Sequence, residues 1–143
     1  METRIIKCDT EAFQPECVRE AAACLHAGGL VAFPTETVYG LGGDGLNPEA
    51  AGKIYAAKGR PSDNPLILHI AEKDSVNMVA EEVSDKAWLL MERFWPGPLT
   101  LVLKKKPTVP AETTGGLNTV AVRMPSHPVA LELIRQSGVC VAA

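Results

Sequence analysis

The chain has 143 residues, 46% of them hydrophobic and 22% charged, with a formal net charge of −3 at neutral pH. That length suits one domain burying roughly two-thirds of its unfolded surface, and the acidic balance argues against a chain that grips nucleic acid over its whole surface. No apolar run approaches the roughly 20 residues of a membrane-spanning helix, and Met1 to Lys7 lacks the apolar core of a signal peptide, so a cytoplasmic protein with reduced cysteines is expected.

Arg4-Ile5-Ile6-Lys7 is short and apolar-centred and predicts a first strand. Pro15 opens a segment, Glu16 to Leu25, whose apolar residues recur at helical spacing and which Gly28-Gly29 ends. Cys17 and Cys24 fall two turns apart on one face of this helix and read as core thiols. The four cysteines, at 8, 17, 24 and 140, form no Cys-x-x-Cys pair, which argues against a zinc site. Leu30-Val31-Ala32-Phe33 predicts a strand apolar on both faces, buried between layers. It stops at Pro34-Thr35-Glu36-Thr37-Val38-Tyr39-Gly40-Leu41-Gly42, where proline and glycine forbid a plain helix or central strand. Asn47 followed by Pro48 starts an alanine-rich helix through Ala57. A second polar loop follows, Lys58-Gly59-Arg60-Pro61-Ser62-Asp63-Asn64-Pro65.

Leu66 to Ile70 predicts a buried strand interrupted by His69. Asp74 and Ser84 are candidate caps of two further helices, the second carrying Trp88, Leu89, Leu90 and Phe94. Trp95-Pro96-Gly97-Pro98 breaks it. Leu99 to Leu103 and Thr119 to Arg123 predict strands on either side of a Pro/Thr/Gly-rich loop. Ser126 is a candidate cap for a helix from Pro128 to Gln136, and Val139 to Ala143 predicts a last strand. Strands alternate with helices, so the expected class is α/β, with a partly parallel sheet covered by helices. The chain stops inside an apolar strand signal; the expectation is one domain, residues 1–143, incomplete at its C-terminus.

Familiar catalytic signatures are missing: no phosphate loop of the Gly-x-x-x-x-Gly-Lys-Ser/Thr type, no Gly-x-Gly-x-x-Gly after a strand, no Gly-x-Ser-x-Gly elbow and no His-Glu-x-x-His helix. Gly40-Leu41-Gly42-Gly43 is glycine-rich, but no helix follows it at once. Polar residues inside apolar strands say more. Thr119, Ala121 and Arg123 share one face of their strand. An arginine on a sheet face is costly unless paired, so it holds either a bound carboxylate or phosphate or a structural acid. His69 shares a face with Ile67 and is either a satisfied core histidine or a ligand. Lys58 and Arg60 are two apart, so an extended backbone aims both to one side. They are either plain surface charges or a grip on a polyphosphate. Lys104-Lys105-Lys106 reads as a solvated strand end.

Taken in order, Pro34 to Gly42, Lys58-Gly59-Arg60-Pro61, Asn64-Pro65-Leu66 with His69, Trp95-Pro96-Gly97-Pro98-Leu99-Thr100 and Thr119 to Pro125 resemble the YrdC family. The likeness runs from about Gly28 to Ala143. It implies a twisted, open, mixed-sheet α/β fold flanked by helices and a deep, positively lined cavity. It also implies an enzyme, a nucleotidyltransferase that joins L-threonine, bicarbonate and ATP into threonylcarbamoyl-adenylate and pyrophosphate. Partner proteins then carry the threonylcarbamoyl group to tRNA. By this resemblance Lys58 and Arg60 are the catalytic pair and bind the ATP phosphates, with Mg2+ carried on those phosphates. Asn64 and Thr119 line the nucleotide side. Thr35, His69, Arg123 and the backbone at Ala143 hold threonine, and Tyr39 is a candidate wall.

Two departures stand out. The family continues past Ala143 with Pro-Ser-x-Asn, which serves the ATP site, and Cys140 stands where proline is common. The 143-residue chain by itself is therefore expected to be weakly active or inactive. Two other readings belong to the same fold. An RNA-binding module would fit a possible RNA contact, but the net charge of −3 and the lack of an aromatic-basic stripe weigh against it. A carbamoyl-transfer domain of the hydrogenase-maturation type would normally sit in a longer chain beside zinc-finger and acylphosphatase-like regions.

Overall fold

The structure, a computed structural model, describes residues 2–143. Its frame is one seven-stranded sheet in the order β1-β2-β7-β3-β6-β5-β4. The strands are β1 (Val31–Phe33), β2 (Gly40–Asp44), β3 (Ile67–His69), β4 (Ala80–Glu81), β5 (Thr100–Lys105), β6 (Thr119–Arg123) and β7 (Val141–Ala142). β3 and β6 run parallel, and every other neighbouring pair is antiparallel. The expected α/β class and open mixed sheet are therefore observed.

Five helices accompany the sheet: α1 (Arg19–His26), α2 (Pro48–Lys58), α3 (Asp85–Phe94), α4 (Ala111–Thr114) and α5 (Pro128–Ser137). α2 starts as its residues dictate. The Asn47 side chain accepts from the Glu49 N–H at 3.0 Å, and Pro48 occupies the first turn, where its missing N–H costs nothing. Gly59, at φ 61°, ends it in the left-handed conformation that an L side chain resists. The Ser84 hydroxyl caps α3 by accepting from the Ala87 N–H at 3.1 Å.

Two cores follow from the two faces. On one, Leu68, Val120, Val122 and Ala142 pack with Ile54 of α2 and Met91 of α3. On the other, Phe33 and Val141 pack against Leu25 of α1 and Leu133 of α5. α1 and α5 thus cover only the β1-β2-β7 side of that second face. Farther along it, Ile67, Ala121 and Thr119 remain partly exposed, and Val102 is 66% exposed. This uncovered strip is the floor of the candidate site. Leu68 lies beneath it with no exposed surface. Leu68→Ala is expected to lower stability by about 2–5 kcal/mol through lost burial and the cavity left behind, read as a shift in the urea midpoint.

Several expected elements differ. Residues 4–7 form no strand, because no neighbour pairs with them and Ile5 is left 86% exposed. The helix expected from Glu16 begins as a 3-10 turn, Pro15–Val18, before α1. β1 is an edge strand paired only to β2, with Ala32 exposed, so it is not buried between layers. Asp74 lies inside a 3-10 segment, Lys73–Met78, and caps no α-helix. α5 is capped by His127, whose Nδ1 accepts from the Val129 N–H, while Ser126 is engaged elsewhere. The thiols expected at positions 8 and 17 are joined as a disulfide with a Cα–Cα distance of 5.9 Å, because the N-terminal segment lies beside the start of the helical region. Cys24 and Cys140 are free.

The glycine-rich run expected to be a loop is partly strand β2. A Cβ on Gly42 would sit 2.7 Å from Val141 Cγ1 and 2.8 Å from Phe33 Cε1, so the close approach of these side chains requires glycine. No helix among the described residues is long and apolar enough to cross a membrane.

Candidate functional site

Parallel pairing brings like-numbered faces together, and here it sets His69 beside Arg123, just as it sets Ile67 beside Ala121. Arg123 is only 8% exposed, and each nitrogen of its guanidinium has one protein partner. Nε donates to the Gly97 carbonyl at 3.2 Å, Nη1 donates to Thr37 Oγ1 at 3.4 Å, and Nη2 pairs with Glu36 Oε1. Glu36 Oε2 in turn accepts from the Ser126 N–H at 2.9 Å and its hydroxyl at 2.7 Å. Burial alone would push the Glu36 carboxyl up, but the Ser126 hydrogen bonds and the Arg123 charge outweigh it and hold it below its usual range.

The loop that delivers these groups is shaped by Thr35. Its hydroxyl donates to the Val38 carbonyl at 2.5 Å and accepts from the backbone N–H of Thr37 and of Val38 at 3.3 and 3.2 Å. This local turn sets the Thr35 and Thr37 hydroxyls 3.1 Å apart at the edge of the Arg123 cluster.

His69 is buried at the same end. Its Nδ1 lies 3.1 Å from the Ile67 carbonyl and 3.2 Å from that of Val141. Carbonyls only accept, so Nδ1 carries the proton and Nε2 is a bare acceptor. Among the described residues no buried side-chain nitrogen or oxygen lacks a partner, so Nε2, which has no hydrogen bond, keeps a point of solvent contact. The ring stands edge-on to Phe33 at 5.9 Å. Burial, and then the Arg123 charge, push its pKa down to about 4.

Between pH 6.5 and about 4 the unfolded chain binds a proton at His69 that the folded chain refuses. The stabilisation is complete above pH 6.5 and is lost as pH falls toward 4, by up to roughly 3 kcal/mol. Urea midpoints should fall across that window, and His69→Asn should flatten the slope.

The other candidate residues gather at the opposite ends of the same two strands. Thr119 opens β6, four residues from Arg123, or about 13 Å along the strand. Asn64 lies three residues before β3. Its carbonyl accepts from the Tyr55 hydroxyl at 2.8 Å, and its N–H donates to the Pro61 carbonyl at 3.1 Å. The loop is anchored again where the Leu66 N–H donates to the Thr113 carbonyl at 3.0 Å. Lys58 closes α2, and Arg60 is fixed by its backbone N–H to the Tyr55 carbonyl at 3.1 Å. Neither cation has an ion-pair partner among the described residues. Burial and then the neighbouring Arg60 charge lower the Lys58 pKa.

The structure therefore joins Thr35, His69 and Arg123 in one cluster and sets Lys58, Arg60, Asn64 and Thr119 in a separate one, with no hydrogen bond between them. Ala143 lies between, its N–H and carbonyl both bonded to Ile67 at 3.0 Å. Tyr39 is 76% exposed. The face between the clusters is an open sheet surface instead of the expected deep cavity, because among the described residues no element covers Ile67, Ala121 and Val102 fully. A cleft of about 280 Å³ lies elsewhere, lined by residues including Asp44, Ile70, Glu72, Arg135 and Cys140. Lys104 is paired with Glu81 and Glu82, as a solvated strand end would be. Glu36, Thr37 and Gly97 carry no role in the sequence reading and Ser126 only that of a helix cap, since irregular loops carry no periodicity that reveals which side chains converge.

A family profile covering Sua5, YciO and YrdC, described as "Telomere recombination", matches residues 23–143. The chain is 56% identical over 126 residues to a threonylcarbamoyl-AMP synthase of Pyrococcus abyssi, covering 88% of this chain and 37% of that protein. It is 55% identical over 127 residues to the protein of that name from Bacillus subtilis, with the same two shares. Among solved structures, P. abyssi Sua5 complexed with L-threonine superposes with a TM-score of 0.96 at 52% identity, over 99% of this chain and 41% of that one. The chain thus spans well under half the length of these relatives.

Proposed function

The chain belongs to the Sua5/YrdC family, and from that premise we propose that it carries the substrate-binding face of a threonylcarbamoyl-AMP synthase. The observation that carries the proposal is the division of β3 and β6 into two chemically distinct ends. One end offers a buried guanidinium, threonine hydroxyls and a neutral histidine. The other offers two unpaired cations.

In this reading Arg123 holds the L-threonine carboxylate by charge-assisted hydrogen bonds. His69 Nε2 accepts from the threonine hydroxyl, with Thr35 alongside, and Ala143 edges the pocket. The substrate's own amine attacks the carbon of bicarbonate and water departs, leaving a carbamate. A carbamate oxygen then attacks the α-phosphate of ATP, the α–β bridging bond breaks, and pyrophosphate leaves. No protein nucleophile is required. The protein supplies orientation and charge: Lys58 and Arg60 take the phosphates and stabilise the leaving pyrophosphate, while Asn64 and Thr119 flank the nucleotide.

Among the described residues no cluster of three His, Cys, Asp or Glu side chains could hold a metal ion, so Mg2+ would arrive on the triphosphate. Transfer of the product to tRNA falls to partner proteins, in a cytoplasmic setting. The identity to proteins named threonylcarbamoyl-AMP synthase favours this function over an RNA-binding or hydrogenase-maturation role.

Binding is the property to test on this chain. Calorimetric titration in the presence of ATP should show L-threonine bound and L-valine bound at least about tenfold more weakly, because a site that bonds a hydroxyl discriminates against its absence. Equal affinity for the two amino acids would overturn the assignment.

A further inference from the structure

Among the described residues Glu36 is the one acidic group paired with Arg123, and the proposed reaction leaves it without a task. The residue is exposed as a whole, yet its side chain keeps only 23% of its surface free because both carboxylate oxygens are occupied. Oε1 takes the Arg123 Nη2 group, and Oε2 takes both the N–H and the hydroxyl of Ser126. Gly97 and Thr37 hold Nε and Nη1. Two separate segments therefore meet at one guanidinium, the 34–39 loop and the Trp95–Pro98 turn, and a third, the turn leading from β6 into α5, joins them through Glu36. A guanidinium has five N–H donors. Three are directed into the protein, leaving one on Nη1 and one on Nη2.

We infer that Glu36 is a positioning residue for amino-acid binding: its carboxylate, itself fixed by Ser126, sets the roll of the Arg123 guanidinium so that the two remaining N–H groups face the substrate carboxylate. This rests on the reading of Arg123 under Proposed function. The chemistry requires a carboxylate of this length. Glutamine in the same pose would turn an NH2 donor toward either Arg123 or Ser126, both of which donate. Aspartate, one methylene shorter, could not span both partners. The Thr35 turn does not depend on Glu36, because its bonds run among Thr35, Thr37 and Val38. The loop can therefore keep its shape when Glu36 is changed.

The test is L-threonine and ATP titration, with thermal melting, of the wild-type chain, E36Q, S126A, the double variant and R123A. Orienting partners of a binding group are typically worth about 10–100-fold. E36Q should weaken L-threonine by about that factor with ATP affinity within about twofold. S126A, which removes one of the two bonds from Ser126, should show a smaller loss in the same direction. The double variant should bind no more weakly than E36Q, since both act through one chain of contacts. A purely structural Glu36 would weaken threonine and ATP together and lower the melting temperature in step, and that result would overturn the inference. So would wild-type threonine affinity in E36Q when R123A has lost it. If R123A itself binds threonine normally, the parent reading has failed instead.

Discussion

Arg123→Ala is expected to weaken L-threonine binding by at least about thirtyfold, the equivalent of about 2–5 kcal/mol for removing one member of a buried charged pair. ATP affinity should stay within about twofold, because the residues proposed for the nucleotide lie at the other end of β6. The size of the effect follows from burial. At 8% exposure the guanidinium acts in a partly dry setting, where a carboxylate gains more from it than in water. Two secondary effects accompany the loss. Glu36 keeps Ser126 but loses its cation, and the Gly97 carbonyl loses a donor, so some stability will go as well. Arg123→Lys separates the contributions. It keeps the charge but not the planar fork, so threonine affinity should fall between wild type and alanine. Unchanged threonine affinity in the alanine variant would remove Arg123 from the site.

The second large effect is expected at the phosphate end. Lys58→Ala and Arg60→Ala should each weaken ATP by about 1.5–3 kcal/mol, the usual value of a hydrogen bond to a charged group, and abolish adenylate formation where turnover is measured. Among the described residues neither has an ion-pair partner. Their removal should therefore leave circular dichroism and melting temperature near wild type. Burial first, and then the Arg60 charge across Gly59, lower the Lys58 pKa. Two like charges held together with no acid between them favour an anion with several negative oxygens. Wild-type ATP affinity in both variants would refute the phosphate role, and loss of threonine binding in parallel would contradict the separation of the two ends.

Much of this arrangement is legible in the chain, and the parts that are not share a cause. Asn47-Pro48 and Ser84 mark helix starts by local chemistry alone, and the structure uses both of them so. β3, β5 and β6 are apolar runs bounded by turn residues. Local rules fail where a partner decides. Arg4 to Lys7 has the composition of a strand but no neighbour to pair with. Gly40 to Asp44 has the composition of a loop but becomes β2, because β1 and β7 lie on either side and only glycine admits Phe33 and Val141 so closely.

The site shows the same division. Thr119, Ala121 and Arg123 share a face by strand periodicity, and Arg123 does require a partner. That the partner is Glu36, 87 residues earlier, is a product of tertiary folding that no spacing encodes. Ser126 looked like a helix cap, yet its N–H and hydroxyl serve Glu36 while His127 caps α5. The disulfide between Cys8 and Cys17 arises in the same way, from an N-terminal segment folded back beside the helical turn.

In the proposed function one sheet face binds two substrates at opposite ends of β3 and β6. Backbone amide shift mapping of the isotopically labelled chain tests it most directly. L-Threonine should perturb residues 35–39, His69 and Arg123, while ATP should perturb residues 58–64 and Thr119, with overlap limited to the strip between them. Perturbation of the same amides by both ligands, or a threonine response that bypasses His69 and Arg123, would contradict it.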